Sequence, residues 1–176
     1  MISADTTLNL PDFRGGERAF QLVSQVLGRA GRGEQGGRVL VQTMNPDHFA
    51  LRAAVAHDYE AFYQEELEQR RDAGYPPFAH LAALHFSAIA PQAVEGEALR
   101  TGRLLRELRT RLKVRVEILG PATAPLGKVR GRHRWQLLLK APERGGLRRM
   151  LLAFRGEYAP PATVRMAVDI DPVELL

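Results

Sequence analysis

The residues best suited to chemistry lie together near the start of the chain, in the segment Gln25-Val26-Leu27-Gly28-Arg29-Ala30-Gly31-Arg32-Gly33. Arg29 and Arg32 are three residues apart at the predicted end of a helix. A guanidinium group has a planar fork of donors that can bind a transferring phosphate and neutralise charge on it. The glycines allow a backbone or a neighbouring lobe to approach closely. On spacing alone, the solvated end of a helix is the stronger interpretation.

Basic residues are concentrated in the second half of the chain. The 176 residues carry a net charge of +5 and have a pI near 10.1. Residues 1–88 hold 8 Arg and Lys against 11 Asp and Glu, whereas residues 89–176 hold 17 against 9. The second half is therefore where we expect a polyanionic partner. Arginine supplies 22 of the 25 positive charges, which suits bidentate phosphate contacts, although a GC-rich genome would produce the same bias.

A first set of candidate DNA contacts recurs every third residue along a predicted helix: Arg100, Arg103, Arg106 and Arg109. An α-helix has 3.6 residues per turn, so this spacing drifts around the axis and the four cannot all face one phosphate backbone. A solvated face whose arginine stems cover apolar surface is the competing interpretation. Arg100 and Arg103 are the candidate phosphate contacts of this set.

A second set of basic residues lies on a glycine-flanked hairpin loop predicted at 127–131 and on the strand after it: Lys128, Arg130, Arg132 and Arg134. We expect Lys128, Arg130 and Arg134 to contact DNA phosphates. Side chains alternate between the two faces of a strand, so Arg130, Arg132 and Arg134 should share one side, with Trp135 turned toward the core.

The hydrophobic pattern divides the chain at Gly74-Tyr75-Pro76-Pro77, where proline and glycine break the periodicity. Before it, at 1–72, the pattern predicts a helix over 17–30, a short strand over 38–43 and one long helix from His48 to about Asp72. These elements do not make up a complete domain by themselves. We therefore interpret residues 1–72 as the end of a larger α/β domain.

After the break, residues 73–176 have the order of a complete domain. The pattern predicts, in order, strand 79–90, helix 91–112, strand 114–124, strand 133–141, helix 143–156 and strand 163–170. The order β-α-β-β-α-β is typical of the ferredoxin-like fold. The fold class predicted for the whole chain is α/β.

Composition excludes several classes of protein. The chain has no cysteine, which excludes a disulfide scaffold, thiol catalysis and a cysteine-ligated zinc site. Hydrophobic residues make up 45% of it and charged residues 26%, which excludes a disordered chain. It has no apolar run long enough to span a membrane and no secretory signal pattern at its start. We expect a cytoplasmic protein without a membrane partner.

Several motifs together resemble one family. The glycine-arginine segment is similar to motif VI of superfamily-two helicases, Gln-x-x-Gly-Arg-x-Gly-Arg. Further along come Tyr75-Pro76-Pro77-Phe78, Leu119-Gly120-Pro121, Arg132-His133-Arg134-Trp135-Gln136 and Asp169-Ile170-Asp171-Pro172. In this order they resemble the C-terminal part of the PriA family of primosomal replication-restart helicases (primosomal protein N′), over nearly the whole chain.

The resemblance implies a function and partners. Residues 1–72 would be the end of the second RecA-like helicase lobe, and residues 73–176 the C-terminal domain. Family members are ATP-driven 3′-to-5′ DNA helicases that act on stalled forks and assemble the primosome. The expected partners are branched or single-stranded DNA, primosome proteins and the acidic tail of single-stranded-DNA-binding protein.

The resemblance also implies roles for individual residues. Gln25, Gly28, Arg29 and Arg32 would lie at the ATP phosphates, with Arg29 and Arg32 the catalytic cations and Arg32 the better arginine-finger candidate. Arg132 and Gln136 would bind the acidic tail, because a cation and an amide suit a terminal carboxylate.

The chain lacks the motifs that would make it an ATPase by itself. It has no phosphate loop, no Asp-Glu-x-His magnesium motif and no cysteine array for the zinc that the family carries. We therefore expect a fragment that supplies residues to an ATP- and Mg-dependent parent enzyme. The alternative is a stand-alone, non-enzymatic adaptor that binds DNA or protein. An RNA-binding ferredoxin-like domain and a purely structural fragment are weaker alternatives.

Overall fold

The computed structural model describes residues 2–9, 11–30 and 37–175. For Ile2 it describes only the backbone. The predicted site residue Arg32 lies outside these ranges. Contacts divide the chain into two compact units, residues 1–73 and residues 74–176. Each unit has its own hydrophobic core.

The first unit is mainly helical. Its elements are β1 (Ile2–Ser3), α1 (Asp5–Leu8), α2 (Gly15–Ala30), β2 (Val41–Gln42), α3 (Phe49–Ala56) and α4 (Tyr59–Asp72). The strand predicted over 38–43 is reduced to β2, which pairs in parallel with β1. In the core, the ring of Phe20 stacks on that of Phe62 with centroids 4.2 Å apart, so α2 and α4 share one apolar cluster.

The prediction of one long helix from His48 to Asp72 is wrong. The chain forms α3 and α4, separated at His57, whose backbone is left-handed with φ 55°. The side chain of Asp58 then begins α4 by accepting a hydrogen bond of 2.9 Å from the backbone N–H of Ala61. Apolar residues continue at helical spacing across this break, so periodicity alone could not reveal it, whereas the capping aspartate could have.

The second unit contains β3 (His80–Ala88), α5 (Pro91–Leu112), β4 (Glu117–Val129), β5 (Arg132–Ala141), α6 (Arg144–Glu157) and β6 (Arg165–Ile170). The four strands form one sheet in the order β4-β5-β3-β6, and every pairing is antiparallel. Pro91 begins α5 at a position where its missing N–H costs no helical bond. Residues 74–176 thus form an α/β unit of two helices and an antiparallel sheet.

Both helices cover the same face of this sheet. Leu84 and Phe86 of β3 and Leu137 and Leu139 of β5 point to that face and are at most 1% exposed. They pack against Leu105 and Leu108 of α5 and Met150 and Phe154 of α6. The opposite face therefore carries the alternate residues of each strand.

The predicted hairpin is present, but its loop is shorter than the predicted residues 127–131. Strand β4 continues to Val129, with two register shifts along its length, and pairs Val129 with Arg132. Only Arg130 and Gly131 form the turn, both with left-handed φ values of 48° and 77°. A two-residue turn of this handedness matches the twist of the flanking strands. Consequently Arg130 does not continue the strand alternation of Arg132 and Arg134.

Within the described ranges, no helix combines the length and the apolar character that crossing a membrane requires.

Candidate functional site

The sheet face opposite the helices gathers positive charge, and we call it the basic face. Strand alternation and register assign to it, among others, these residues: His85, Ser87, Arg132, Arg134, Gln136 and Arg165. The face also carries Asp169, and Glu117 opposite Lys140. Ser87 lies directly opposite Arg134 on one side and Arg165 on the other. Directly opposed residues in antiparallel strands have Cα atoms about 4.5–5.5 Å apart. Two arginine positions therefore flank Ser87 on adjacent strands.

Arg132 reaches the same serine from further along β5. Its Nε donates to Ser87 Oγ at 3.3 Å and its Nη2 donates to the Ser87 carbonyl oxygen at 2.9 Å. These bonds hold the guanidinium on the basic face and leave its other N–H donors for a ligand. The result is a cluster of three arginines around one serine, which suits an anion with several oxygen atoms.

Gln136 and His85 lie opposite each other one step along the sheet. The Nδ1 atom of His85 is buried and has no hydrogen-bond partner among the residues that the structure describes. Burial lowers the pKa of His85 below its usual 6.5; the charge of Arg134 lowers it further, and Asp169 opposes the change. These surroundings favour the neutral form of the histidine, and a nearby anion would favour the cation.

The predicted tail-binding pair, Arg132 and Gln136, thus shares one face with Arg134. Sequence reasoning missed Arg165 and His85, which this face also contains. No local sequence pattern distinguishes Arg165 as a site residue, because only the pairing of β3 with β6 places it beside Ser87. For His85, the sequence offered one indication: a titratable residue in a predicted strand that is mostly apolar.

Lys128 and Arg130 are exposed at the hairpin end of the same sheet. Lys128 pairs with His133 in the strand register, and Arg130 lies in the turn. His133 lies on the helix-facing side of β5, so Lys128 lies on that side as well, away from the basic face. Arg130 alone adds positive charge at the turn.

The predicted contacts on α5 lie in the helix layer, on the other side of the sheet. Arg100 bonds both carboxylate oxygens of Glu97, at 2.9 and 2.7 Å, and donates to the Ala159 carbonyl oxygen at 2.9 Å. Glu97 is 6% exposed and also accepts a bond of 2.8 Å from the Tyr158 hydroxyl. Burial and this carboxylate raise the pKa of Tyr158 to about 12. Arg100 therefore neutralises a buried carboxylate inside the domain.

Arg103, also on α5, is exposed and forms no ion pair within the described ranges. It is available to a ligand, but α5 packs on the sheet face opposite to the basic face. The structure does not bring Arg100 and Arg103 together with Arg132, Arg134 and Gln136.

In the first unit, Gln25, Gly28 and Arg29 lie on one exposed side of the last turns of α2. Spacings of three and four residues place them next to one another on the helix surface. Among the residues that the structure describes, no atom lies within 4 Å of a Cβ built at Gly28, so that part of the chain leaves space beside this glycine.

By architecture, the second unit belongs to the class of small α/β domains in which two helices cover one face of an antiparallel sheet and the other face carries the charge. Residues 71–173 match the family described as the primosomal protein N C-terminal domain. The chain belongs to the PriA family and corresponds to its C-terminal part.

Relatives named replication restart protein PriA extend this match over the whole chain. The chain is 34% identical to the protein of Bacillus subtilis (strain 168) over 179 residues, covering 100% of the chain and 22% of the relative. It is 38% identical to the Synechocystis protein over 175 residues, covering 99% and 20%, and 38% identical to the Treponema pallidum protein over 173 residues, covering 98% and 26%. The chain thus spans about a fifth to a quarter of the length of these curated relatives.

Proposed function

We propose that this chain acts in replication restart by presenting the basic face as a binding surface for anions, with an acidic protein tail at Arg132 and Gln136 and DNA phosphates at the hairpin end. The observation that carries the proposal is the clustering of Arg132, Arg134 and Arg165 around Ser87. The names of the relatives point to replication restart as the process. The arginines of the basic face point to anions as the ligands.

A terminal carboxylate fits the Arg132–Gln136 pair. Arg132 is already oriented by Ser87, so little side-chain freedom remains to be lost on binding. Gln136 is half-buried and offers an amide N–H to a second carboxylate oxygen. The acidic tail of single-stranded-DNA-binding protein has the chemistry that this pair would recognise.

DNA would engage the exposed end of the sheet. Arg130 projects from the hairpin turn, and Arg134 and Arg165 continue the positive charge across the basic face. Lys128 lies on the helix-facing side of the sheet, so it would contact only a DNA that passes around the hairpin. Contacts of lysine and arginine with phosphates are independent of sequence and sensitive to salt. Arg103 would contact only a DNA that wraps around to the helix layer. Arg100 would stabilise the fold through its bonds to Glu97 and would not contact DNA.

We also assign the two units to folds. The β-α-β-β-α-β order and the strand order β4-β5-β3-β6 support a ferredoxin-like fold for residues 73–176. The place of the motif VI segment supports residues 1–72 as the end of a RecA-like lobe.

ATP binding and hydrolysis would be carried out by the longer parent helicase and not by this chain alone. The exposed guanidinium of Arg29 and the open space at Gly28 fit the approach of ATP phosphates held by another lobe. In the parent enzyme, ATP and Mg would supply the energy of 3′-to-5′ unwinding, and zinc would be held elsewhere. Gln25, Arg29 and Arg32 would orient and neutralise the phosphates.

The tail site is tested with a fluorescent acidic peptide that ends in a free α-carboxylate. We expect saturable binding, with Kd raised about tenfold or more by Arg132→Ala or Gln136→Ala, since each removes a hydrogen bond to a charged group. Amidation of the peptide terminus should weaken binding to a similar extent. The matched control is Arg109→Ala, an exposed arginine on α5. Binding that is unchanged by Arg132→Ala and by amidation would refute this site.

A further inference from the structure

A second surface of residues 74–176, distinct from the basic face, has the character of a docking groove. It lies in the helix layer between α6 and β6 and encloses a volume of about 840 Å³. Its floor is apolar: Leu151, Leu152, Phe154, Met166, Val168 and Ile170. We call it the α6–β6 groove.

Part of the floor of this groove is open to water. Leu152 is 57% exposed, Val168 39% and Ile170 58%. Val168 and Ile170 lie on the helix-facing side of the sheet, opposite Leu84 and Ala82. They remain exposed because β6 is an edge strand and α6 does not cover these two residues. A contiguous exposed apolar strip of this kind marks an interaction site more often than ordinary surface does.

The rim of the groove is positively charged. Arg144, Arg148 and Arg155 line it along α6, at spacings of four and seven residues that place them on one side of the helix. Arg144 is partnered by Asp171 at 3.3 Å at one end of the groove. Arg148 and Arg155 are exposed and form no ion pair within the described part of the chain. These two guanidinium groups can therefore pair with carboxylates of an occupant, which gives the groove charge complementarity to an acidic partner.

We propose that the α6–β6 groove binds an amphipathic helix of a partner protein whose apolar side contacts Leu152, Val168 and Ile170 and whose acidic residues pair with Arg148 and Arg155. The dimensions agree: α6 has 14 residues and β6 has six, so each spans about 20 Å. A helix of three to four turns fills that length and continues the helix layer beyond α6 over the edge strand.

The test uses the full chain and a designed, terminally blocked 14-residue peptide with leucines at helical i, i+3, i+4 and i+7 spacing and glutamates beside them. A peptide of the same composition, scrambled to disperse the leucines around the helix, is the control. Binding is measured by fluorescence anisotropy, and peptide helicity by circular dichroism. We expect saturable binding of the amphipathic peptide with a gain in helicity, and at least tenfold weaker binding of the scrambled one.

Paired charge reversals locate the site. Arg148→Glu with Arg155→Glu should raise Kd at least tenfold, whereas Arg134→Glu with Arg165→Glu on the basic face should change it less than twofold. Backbone amide shifts should move at Leu152, Val168 and Ile170. The proposal is overturned if both peptides bind equally, if the two reversals have equal effects, if the peptide binds as a strand along β6, or if no saturable binding occurs. The reversed residues are exposed, and circular dichroism of each variant establishes that it is folded.

Discussion

Arg132 and Arg100 show how differently two arginines of one domain are used. Arg132 bonds a serine and its carbonyl oxygen at the surface, so its charge remains available to a ligand. Arg100 bonds both oxygens of the buried Glu97, so its charge is used within the fold. The sequence predicted both as functional cations, because it shows residue type and spacing but not the carboxylate that a guanidinium meets.

His85 should make anion binding at the basic face depend on pH. Its pKa is lowered in the free protein, and a bound anion favours the cation, so binding takes up a proton. Affinity for the acidic peptide should therefore rise as pH falls from 8 to about 6, by at most about tenfold per pKa unit gained on binding.

His85→Gln is the variant that tests this, because it keeps a polar side chain without a charge change near neutral pH. We expect its affinity to be flat between pH 8 and 6, as measured by anisotropy in parallel titrations. An unaltered pH slope in His85→Gln would assign the proton to another group.

At the scale of elements, α2 and α4 are joined by ion pairs as well as by Phe20 and Phe62. Arg70 on α4 contacts Glu17 on α2 at 2.9 Å and Glu66 at 2.7 Å. Hydrogen bonds from Arg14 and Arg70 lower the pKa of Glu17 to about 2, against the effect of burial. Burial raises the pKa of Glu66, despite Arg70.

Glu17 should make the first unit sensitive to acid. Its pKa is lower in the folded protein than the ordinary 4.5, so its contribution to stability is present above pH 4.5 and is lost as pH falls toward 2. Glu17→Gln should lower the free energy of unfolding at pH 7 by about 1–3 kcal/mol, since it weakens hydrogen bonds to two arginines.

The measurement is hydrogen exchange of the α4 amides at pH 7 and at lower pH. The control is Glu68→Gln, an exposed residue on the same helix. If Glu17→Gln keeps the full acid sensitivity of the parent chain, the α2–α4 ion pairs do not cause it.

Element boundaries were predictable where local signals were strong. Helix α5 occupies the predicted residues 91–112, because Pro91 fixes its start and Lys113 adopts the left-handed conformation at its end. The break at His57 and the short turn at Arg130-Gly131 were missed, because each depends on single left-handed residues inside otherwise regular patterns. The neighbours of Ser87 could not be predicted, because strand register is a property of the folded sheet.

At the scale of the whole molecule, charge and apolar surface are separated within residues 74–176. The basic face gathers arginines on one side of the sheet, and the α6–β6 groove exposes apolar residues on the other. Neither surface includes residues of the other, so the two proposed ligands would not compete for the same side chains.

Polyanion binding by the basic face can be measured by titrating fluorescent forked DNA with the chain over a salt series. The slope of log K against log[salt] is about −0.9 for each phosphate neutralised. We predict a slope of several units for the parent chain, reduced by about two by Arg134→Ala with Arg165→Ala. Arg109→Ala with Arg149→Ala, two exposed arginines of the helix layer, should leave it unchanged. Equal slopes for the parent chain and the basic-face variant, or an equal loss in the control pair, would show that the basic face is not where DNA binds.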